Sequence, residues 1–272
     1  MMMDVKIAFP VLISFAVSAA AGPIVIPVLR KLKVGQTVRN DGPQTHLKKN
    51  GTPTMGGVIF LLAVLVTSLV YAPRYPKIIP VLFMTVGFGM VGFLDDFIKV
   101  VLHRSEGLTP GQKMAGQLVV TSIFAYYMVK ISDVGLTLKV PFFPDVNLNP
   151  GWLAIPLLFF VVIGTVNGTN FTDGLDGLAA SVTVLVAVFF SVAALGTHAG
   201  IAPITLAVVG GLLGFLLFNV YPASVFMGDT GSLALGGFVA STAYMMNMPL
   251  FLLLVGLVYL VEVLSVIIQV TY

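Results

Sequence analysis

Five aspartates lie at or just after the ends of strongly apolar segments of the sequence, where an ionised side chain is expensive. They are Asp95, Asp96, Asp173, Asp176 and Asp229. A carboxylate at the middle of a membrane costs roughly 2.5–3.5 kcal/mol on insertion scales, so such residues usually serve a function. Carboxylates that gather on one face repel each other unless a cation joins them. Hard oxygen ligands, in a chain without cysteine, favour magnesium or manganese.

Single members of this set also have structural explanations. Asp95 and Lys99 are four residues apart, so they can form an ion pair at the end of a helix. Asp173 or Asp176 can cap the helix that follows them. These interpretations stay open for each residue, but they do not explain why all five carboxylates follow alternate apolar segments.

A glycine-rich segment precedes the aspartates in the chain. It reads Gly51-Thr-Pro-Thr-Met-Gly-Gly57 and follows Lys48 and Lys49. Its glycines allow a close backbone approach to a ligand, and the two lysines supply positive charge for a phosphate. The segment lacks the Gly-Lys-Ser/Thr of a P-loop, so that nucleotide-binding motif is excluded. Together the residues predict a metal-dependent site for a phosphorylated substrate.

The composition places this chemistry in a membrane. The 272 residues are 58% hydrophobic and 9% charged, and their mean hydropathy is +1.04. A soluble domain carries about 25% charged residues because its surface faces water, so a soluble protein is excluded. The absence of cysteine also excludes a thiol nucleophile, a thiolate metal site and a disulfide.

The apolar segments predict an all-α, polytopic membrane bundle of about nine transmembrane helices, since a spanning helix needs roughly 20 apolar residues. The predicted spans lie near 7–29, 57–73, 78–100, 113–131 and 151–168, with two more in 177–226 and two in 232–272. The last two pairs are divided near 196–200 and 246–249. We interpret residues 1–272 as a single transmembrane domain.

Basic residues in short loops orient this bundle. With the N-terminus outside, the inner side holds Arg30, Lys31, Lys33, Arg39, Lys48, Lys49, Lys99, Arg104 and Lys113. The outer side holds the smaller set Lys6, Arg74, Lys77, Lys130 and Lys139. This orientation places the five aspartates and the glycine-rich segment together on the cytoplasmic face.

Two further glycine patterns are predicted to serve helix packing. Gly87-Phe-Gly-Met-Val-Gly92 matches the dinucleotide-binding pattern GxGxxG. It lies within an apolar helix with no preceding strand, which excludes that function. Small residues let helix backbones approach closely in membranes, and we expect this role here and in residues 210–214.

The polar motifs resemble those of the phospho-N-acetylmuramoyl-pentapeptide-transferase (MraY) family. The matching segments are Asp41-Gly-Pro43, His46, residues 49–57, 95–99, 170–177 and 226–232, in the family's order along the whole chain. The aspartate motifs are shared by the wider polyprenyl-phosphate N-acetylhexosamine-1-phosphate transferase superfamily. Residues 46–57 favour the muramoyl-pentapeptide branch.

The resemblance implies an enzyme of peptidoglycan biosynthesis. Such an enzyme uses magnesium to transfer phospho-MurNAc-pentapeptide from UDP to undecaprenyl phosphate, which forms lipid I and releases UMP. The expected partners are UDP-MurNAc-pentapeptide, undecaprenyl phosphate, membrane lipid, a second copy in a homodimer and uridine-containing nucleoside inhibitors, but no nucleic acid. The expected location is the bacterial plasma membrane, with the active site facing the cytoplasm.

The resemblance also assigns residue roles. Asp95 and Asp96 would engage the lipid phosphate, with Asp95 as the favoured base, and Asp229 would ligate magnesium. The predicted substrate-binding residues are Lys49, Thr54, Asn167, Asn170, Asp173, Asp176 and Phe226. Within this set Asn170 and the two aspartates would line the nucleotide pocket, Phe226 would lie against the uracil, and Lys49 would lie near the phosphates. A direct attack and a route through an aspartyl-phosphate both remain open.

The family carries a histidine-rich cytoplasmic loop after its ninth helix, and then a tenth helix. Residues 1–272 end within the ninth predicted helix and contain three histidines, so we expect both features to be absent from them. Two alternative functions are a related enzyme that loads UDP-N-acetylglucosamine onto a polyprenyl phosphate and a cation-coupled transporter. The transporter would place its carboxylates near mid-membrane, with access from both faces.

Overall fold

The computed structural model describes residues 8–32, 51–100 and 107–271. Over these residues the regular secondary structure is helical apart from one short hairpin. The helices are α1 Ala8–Lys31, α2 Gly57–Tyr71, α3 Ile78–Val100, α4 Pro110–Lys130, α5 Ala154–Thr172, α6 Leu178–Gly196, α7 Ala202–Asn219, α8 Gly228–Met245, α9 Leu252–Val255 and α10 Leu257–Thr271. Single 3₁₀ turns, Gly151–Leu153 and Pro249–Phe251, precede α5 and α9.

Five helical segments in the described part of the chain are long and apolar enough to cross a membrane. They are Ala8–Lys31, Ile78–Val100, Gly151–Thr172, Leu178–Gly196 and Ala202–Asn219. The segments Pro249–Val255 and Leu257–Thr271 meet at an angle of 80° and add a sixth span if they are counted as one. The protein is therefore an all-α, multi-pass membrane protein, as the sequence predicts. Helices occupy all nine predicted positions within the described residues.

Helix α8 lies at the centre of the bundle, although its sequence is less apolar than that of the five spans. Every residue from Thr230 to Met245 is buried, and the helix packs against α2, α3, α5 and α6. A helix enclosed by other helices need not be apolar enough to face lipid. It is instead rich in Gly, Ser, Ala and Thr, which permit close packing.

Glycines allow neighbouring helices to approach each other closely, as the sequence predicts. A Cβ added at Gly92 of α3 would lie 2.0 Å from the carbonyl oxygen of Asp229. One added at Gly237 of α8 would lie 2.6 Å from the carbonyl oxygen of Met84. Gly210 of α7 approaches the backbone of α1 at a similarly short distance. These contacts confirm helix packing as the role of both glycine patterns.

The segment between α4 and α5, which lies between two of the predicted spans, contains the hairpin. Strand β1, Leu138–Val140, pairs antiparallel with β2, Phe143–Leu148. The hairpin is attached to the turn after α8, because the N–H of Lys139 donates to the carbonyl oxygen of Asn247 over 2.7 Å. It lies at the end of the bundle away from the aspartates.

Candidate active site

The C-terminal end of α3 meets the N-terminal end of α8, and Asp96 joins them. Its Oδ1 accepts a hydrogen bond from the N–H of Asp229 over 3.2 Å. Its Oδ2 accepts from the N–H of Thr230 over 2.8 Å and from the Thr230 hydroxyl over 2.6 Å. The first N–H groups of a helix have no partner within it, and a carboxylate there is favourable. Asp96, which is 4% exposed, therefore caps α8 from a neighbouring helix.

Glycine is required where these two helix ends meet. Gly228, directly before Asp229, has a φ of +73°, which disfavours any residue with a Cβ. A Cβ at this position would also lie 2.7 Å from Oδ2 of Asp96 and 2.8 Å from the hydroxyl of Thr54. The Gly-Asp order in this motif thus allows the carboxylate of Asp96 to reach the start of α8.

The Asp229 side chain connects three helices. Its Oδ2 accepts hydrogen bonds from Nζ of Lys113 on α4, over 2.9 Å, and from Nζ of Lys99 on α3, over 3.1 Å. Its Oδ1 accepts one from Nδ2 of Asn170 on α5, over 2.8 Å. The same Asn170 amide also donates to the hydroxyl of Ser232 over 2.8 Å. Asp229 is therefore held in one position by cationic and amide donors.

Asp95 lies beside this group. Its carboxylate forms an ion pair with Lys99 and accepts a hydrogen bond from the N–H of Leu108 over 2.8 Å. The i,i+4 pair suggested by the sequence is thus confirmed, yet Lys99 also reaches Asp229, so the pair belongs to a larger cluster. One oxygen from each of Asp95, Asp96 and Asp229 lies within 4.8 Å of the other two. The structure brings the three predicted catalytic residues together.

The loop between α5 and α6 carries Asp173 and Asp176. Burial raises the pKa of Asp173 well above its ordinary value, and the carboxylates of Asp229 and Asp96 raise it further. The N–H of Gly228 opposes this shift by hydrogen bonding. A carboxyl group with a raised pKa can donate as well as accept a hydrogen bond, which suits recognition of a base that has both donors and acceptors.

The N-cap of α6 is Gly177, so neither aspartate occupies the capping position that the sequence left open. Asp176 accepts a hydrogen bond from the N–H of Ala223 over 3.2 Å. Ala223 lies in the turn that leads from α7 to Phe226. The contact therefore attaches the loop after α5 to the chain segment that carries the predicted uracil-binding ring.

The glycine-rich segment is paired with the Phe226 segment through the backbone. The N–H of Phe226 donates to the carbonyl oxygen of Pro53 over 2.8 Å. The carbonyl oxygen of Phe226 in turn accepts from the N–H of Gly56, also over 2.8 Å. Thr54 is buried and Phe226 is partly buried. Lys49, also predicted to bind substrate, lies outside the described residues. This pairing brings two motifs that are about 170 residues apart to the start of α8.

Asn167 faces α4 and the side-chain amide of Gln117. Its Nδ2 donates to Oε1 of Gln117 over 3.0 Å, and Nε2 of Gln117 donates in return over 3.3 Å. Lys113 is one turn from Gln117 on α4, and Asn170 is one turn from Asn167 on α5. The amide pair thus positions Lys113 and Asn170, two of the three side chains that donate to Asp229. Sequence reasoning missed Lys113 and Gln117 as site residues, although their i,i+4 spacing places them on one face of a membrane helix.

The described residues thus define a membrane-embedded helical protein with a carboxylate cluster and an adjoining polar pocket. The family model described as glycosyl transferase family 4 matches residues 78–247, and the chain belongs to that family. The phospho-N-acetylmuramoyl-pentapeptide-transferase signature 1 matches residues 49–61, and this is the branch of the family in which the chain belongs.

Three similar relatives carry the name phospho-N-acetylmuramoyl-pentapeptide-transferase. One from Acetivibrio thermocellus is 52% identical over 96% of this chain and 80% of its own length. One from Clostridium perfringens strain 13 is 48% identical over 99% of this chain and 84% of its own. One from Clostridioides difficile strain 630 is 47% identical over 98% of this chain and 83% of its own.

Proposed function

We propose that the protein transfers phospho-N-acetylmuramoyl-pentapeptide from UDP to undecaprenyl phosphate, which forms lipid I and releases UMP. The observation that carries this proposal is the cluster of Asp95, Asp96 and Asp229 at the meeting point of α3 and α8. The reaction joins two anionic substrates, so it needs cationic groups close to the reacting phosphates. Lys99 and Lys113 lie within hydrogen-bond distance of Asp229.

Magnesium fits this cluster by its donor set. Its preferred ligands are carboxylate oxygens, and Asp229 is the proposed ligand, with Asp95 beside it. Asp96 uses both of its oxygens to cap α8, so we assign it the role of holding Asp229 in place. When bound, the ion would neutralise charge that develops on the departing UMP.

The protein's own side chains supply the remaining steps. Oδ2 of Asp95 would accept the proton of the acceptor phosphate, and the ion pair with Lys99 fixes the position of that carboxylate. Lys113 and Lys99 would attract the donor pyrophosphate. Asn170 fixes the orientation of Asp229 through its Oδ1.

An apolar cavity supports the assignment of a prenyl acceptor. Its volume is about 270 Å³, and it lies between α5 and the bent pair α9–α10. Its lining is almost wholly apolar and includes Val161, Leu252, Leu253, Leu260, Val263 and Leu264. The same helix α5 ends at the site with Asn170, so a chain held in this cavity would lie beside the helix that leads to the carboxylates.

The direct test of this function is a comparison of two donors. We expect purified protein with undecaprenyl phosphate and magnesium to release UMP from UDP-MurNAc-pentapeptide, and to leave UDP-N-acetylglucosamine unchanged. The product is measured as radiolabelled lipid. The reverse preference would assign the protein to the other branch of the superfamily, and no transfer from either donor would exclude the proposal.

We also propose that the site faces the cytoplasm of a bacterial plasma membrane. The native chain has no cysteine, so single cysteines report on topology. We expect Leu175→Cys, at a position 60% exposed beside the site, to resist an impermeant thiol reagent in intact cells and to react in inverted vesicles. His198→Cys at the opposite end is the matched control and reacts from outside. Labelling of both from the same side would exclude this orientation.

Replacement of Phe226 by alanine tests the nucleotide pocket. The backbone hydrogen bonds to Pro53 and Gly56 do not depend on the ring, so the variant loses the ring and keeps the loop pairing. We expect uridine-containing inhibitors and the UDP-sugar to bind more weakly by about 1–3 kcal/mol, the value of one aromatic stacking contact. Isothermal calorimetry measures this loss.

The matched control for this variant is Phe142→Ala, which removes an 84% exposed ring of the distal hairpin and should leave uridine affinity unchanged. If Phe226→Ala also left it unchanged, the ring would be assigned to packing between the two paired loops. An equal loss in both variants would indicate a general defect of the protein.

A further inference from the structure

A second cavity lies at the end of the bundle opposite the aspartates, and we refer to it as the distal cavity. Its volume is about 430 Å³, within the range of about 300–1,000 Å³ that is typical of small-molecule sites. It is formed where α1 and α7 begin and where α2 and α6 end. Because α1, α6 and α7 are candidate spans, their ends lie at the boundary between lipid and water.

The rim of the distal cavity is cationic and aromatic. It includes Arg74, Tyr71, Tyr75 and His198, and no acidic side chain is among the lining residues. Lys77 lies next to the rim, but its Nζ is 2.8 Å from Oδ2 of Asp133, which neutralises it. Among the described residues, Arg74 makes no ion pair, so its guanidinium is available to an anion.

The rest of the lining is apolar, and we refer to it as the floor of the distal cavity because it contains the buried residues Pro10 and Ala194, whereas Arg74 and His198 are exposed. It is formed by side chains such as Pro10, Leu195, Ala194 and Leu206. A cationic rim over an apolar floor matches an amphiphile with an anionic head and a hydrocarbon tail. Tyrosine rings favour the membrane interface, and the guanidinium binds phosphate through two parallel hydrogen bonds.

We propose that the distal cavity binds an anionic phospholipid from the leaflet on that face. Arg74 and His198 contact the headgroup phosphate, and the two tyrosines lie at the level of the glycerol. The first methylenes of one acyl chain contact Leu195 and Leu206. A soluble phosphate compound would leave the apolar floor uncovered, which is why the structure favours the lipid.

Native mass spectrometry of the purified protein tests this proposal with phosphatidylglycerol as the probe and phosphatidylcholine as the zwitterionic comparison. We expect Arg74→Gln to lower the apparent affinity for phosphatidylglycerol about tenfold, because a charged hydrogen-bonding partner is lost. Arg74→Lys should recover part of this loss. Lys130→Gln, which removes an exposed cation at the same end of the bundle but outside the cavity, is the matched control and should bind as the native protein does.

A stability measurement gives a second readout. A ligand that binds only the folded state raises the Tm. Phosphatidylglycerol should therefore raise the Tm of the native protein more than it raises the Tm of Arg74→Gln. Equal binding by Arg74→Gln and the native protein would exclude the site. Equal protection by glycerol phosphate, which has no acyl chain, would also overturn the proposal and assign the cavity to a soluble phosphate. Neither result depends on transferase activity.

Discussion

We expect Asp229→Asn to lower turnover by at least about two orders of magnitude, the cost of losing a major electrostatic stabiliser. The substitution keeps the size of the side chain and an oxygen that can accept from Asn170, whose Nδ2 lies 2.8 Å away. It removes the negative charge that Lys99 and Lys113 contact, and with it the proposed magnesium ligand. No other acid lies in the loop that carries Asp229, so no neighbouring residue of that loop can replace it.

Two measurements separate this prediction from a general loss of structure. Turnover is measured as UMP release by the purified protein, and magnesium-dependent stabilisation is measured as a shift in Tm. Both should fall in Asp229→Asn, and excess magnesium should restore only part of the rate. Asp133→Asn is the matched control, because the side chain of Asp133 is 73% exposed and lies on the distal face. This variant should change neither the turnover nor the magnesium-dependent shift in Tm. Near-normal turnover of folded Asp229→Asn would contradict this assignment, and the metal ligand would then be sought at Asp95 or Asp96.

The sequence locates the aspartate cluster because of a simple property of helical membrane proteins. Successive loops alternate between the two faces, so motifs that follow the first, third, fifth and seventh helices must share one face. The structure brings residues 95–99, 170–177 and 226–232 together in this way. The break between α8 and α9 is also predicted, because Asn247 and Pro249 interrupt an apolar run.

Apart from the pair of Asp95 and Lys99, the partners within the cluster cannot be read from the sequence. The rotation of α4 about its axis decides whether Lys113 and Gln117 face α5, and no local pattern fixes that rotation. The sequence also predicts a start of α4 near 113, whereas the helix begins at Pro110. The Thr109 hydroxyl accepts from the N–H of Gln112, and the Gln112 side chain accepts in return, so a capping box begins the helix earlier.

The capping role of Asp96 cannot be predicted from the residues near it, since its partners are more than 130 residues away. A cap supplied by a neighbouring helix has no sequence signature, unlike a cap supplied from the residue before the helix. The only sequence signal was indirect. Gly92 lies one turn before Asp96 on α3, and its missing side chain permits the approach of α8.

Gly92→Ala is therefore expected to have an effect as large as the loss of a catalytic group. The added Cβ would lie 2.0 Å from the carbonyl oxygen and 2.3 Å from the carbonyl carbon of Asp229. These are backbone atoms, so no side chain can rotate away, and α3 and α8 must separate by about 1 Å or more. A displacement of that size within an active site can cost about 100-fold in rate.

The separation should also lengthen the hydrogen bonds from Thr230 to Asp96, which are 2.6 and 2.8 Å. We expect kcat to fall by about 100-fold and the Tm to fall as well, since overpacking a core costs about 1–3 kcal/mol. The affinity for phosphatidylglycerol at the distal cavity, measured by native mass spectrometry, should remain unchanged because that site is at the other end of the bundle.

Two alanine variants at other glycines form a graded comparison. A Cβ at Gly87, also on α3, would lie 3.0 Å from a methyl group of Val120, which is a side chain that can shift, so Gly87→Ala should have a small effect. No atom lies within 4 Å of a Cβ at Gly196, and alanine has the higher helix propensity, so Gly196→Ala should be neutral or slightly stabilising. If folded Gly92→Ala kept the activity of these two variants, the position of Asp229 would not depend on the contact between α3 and α8.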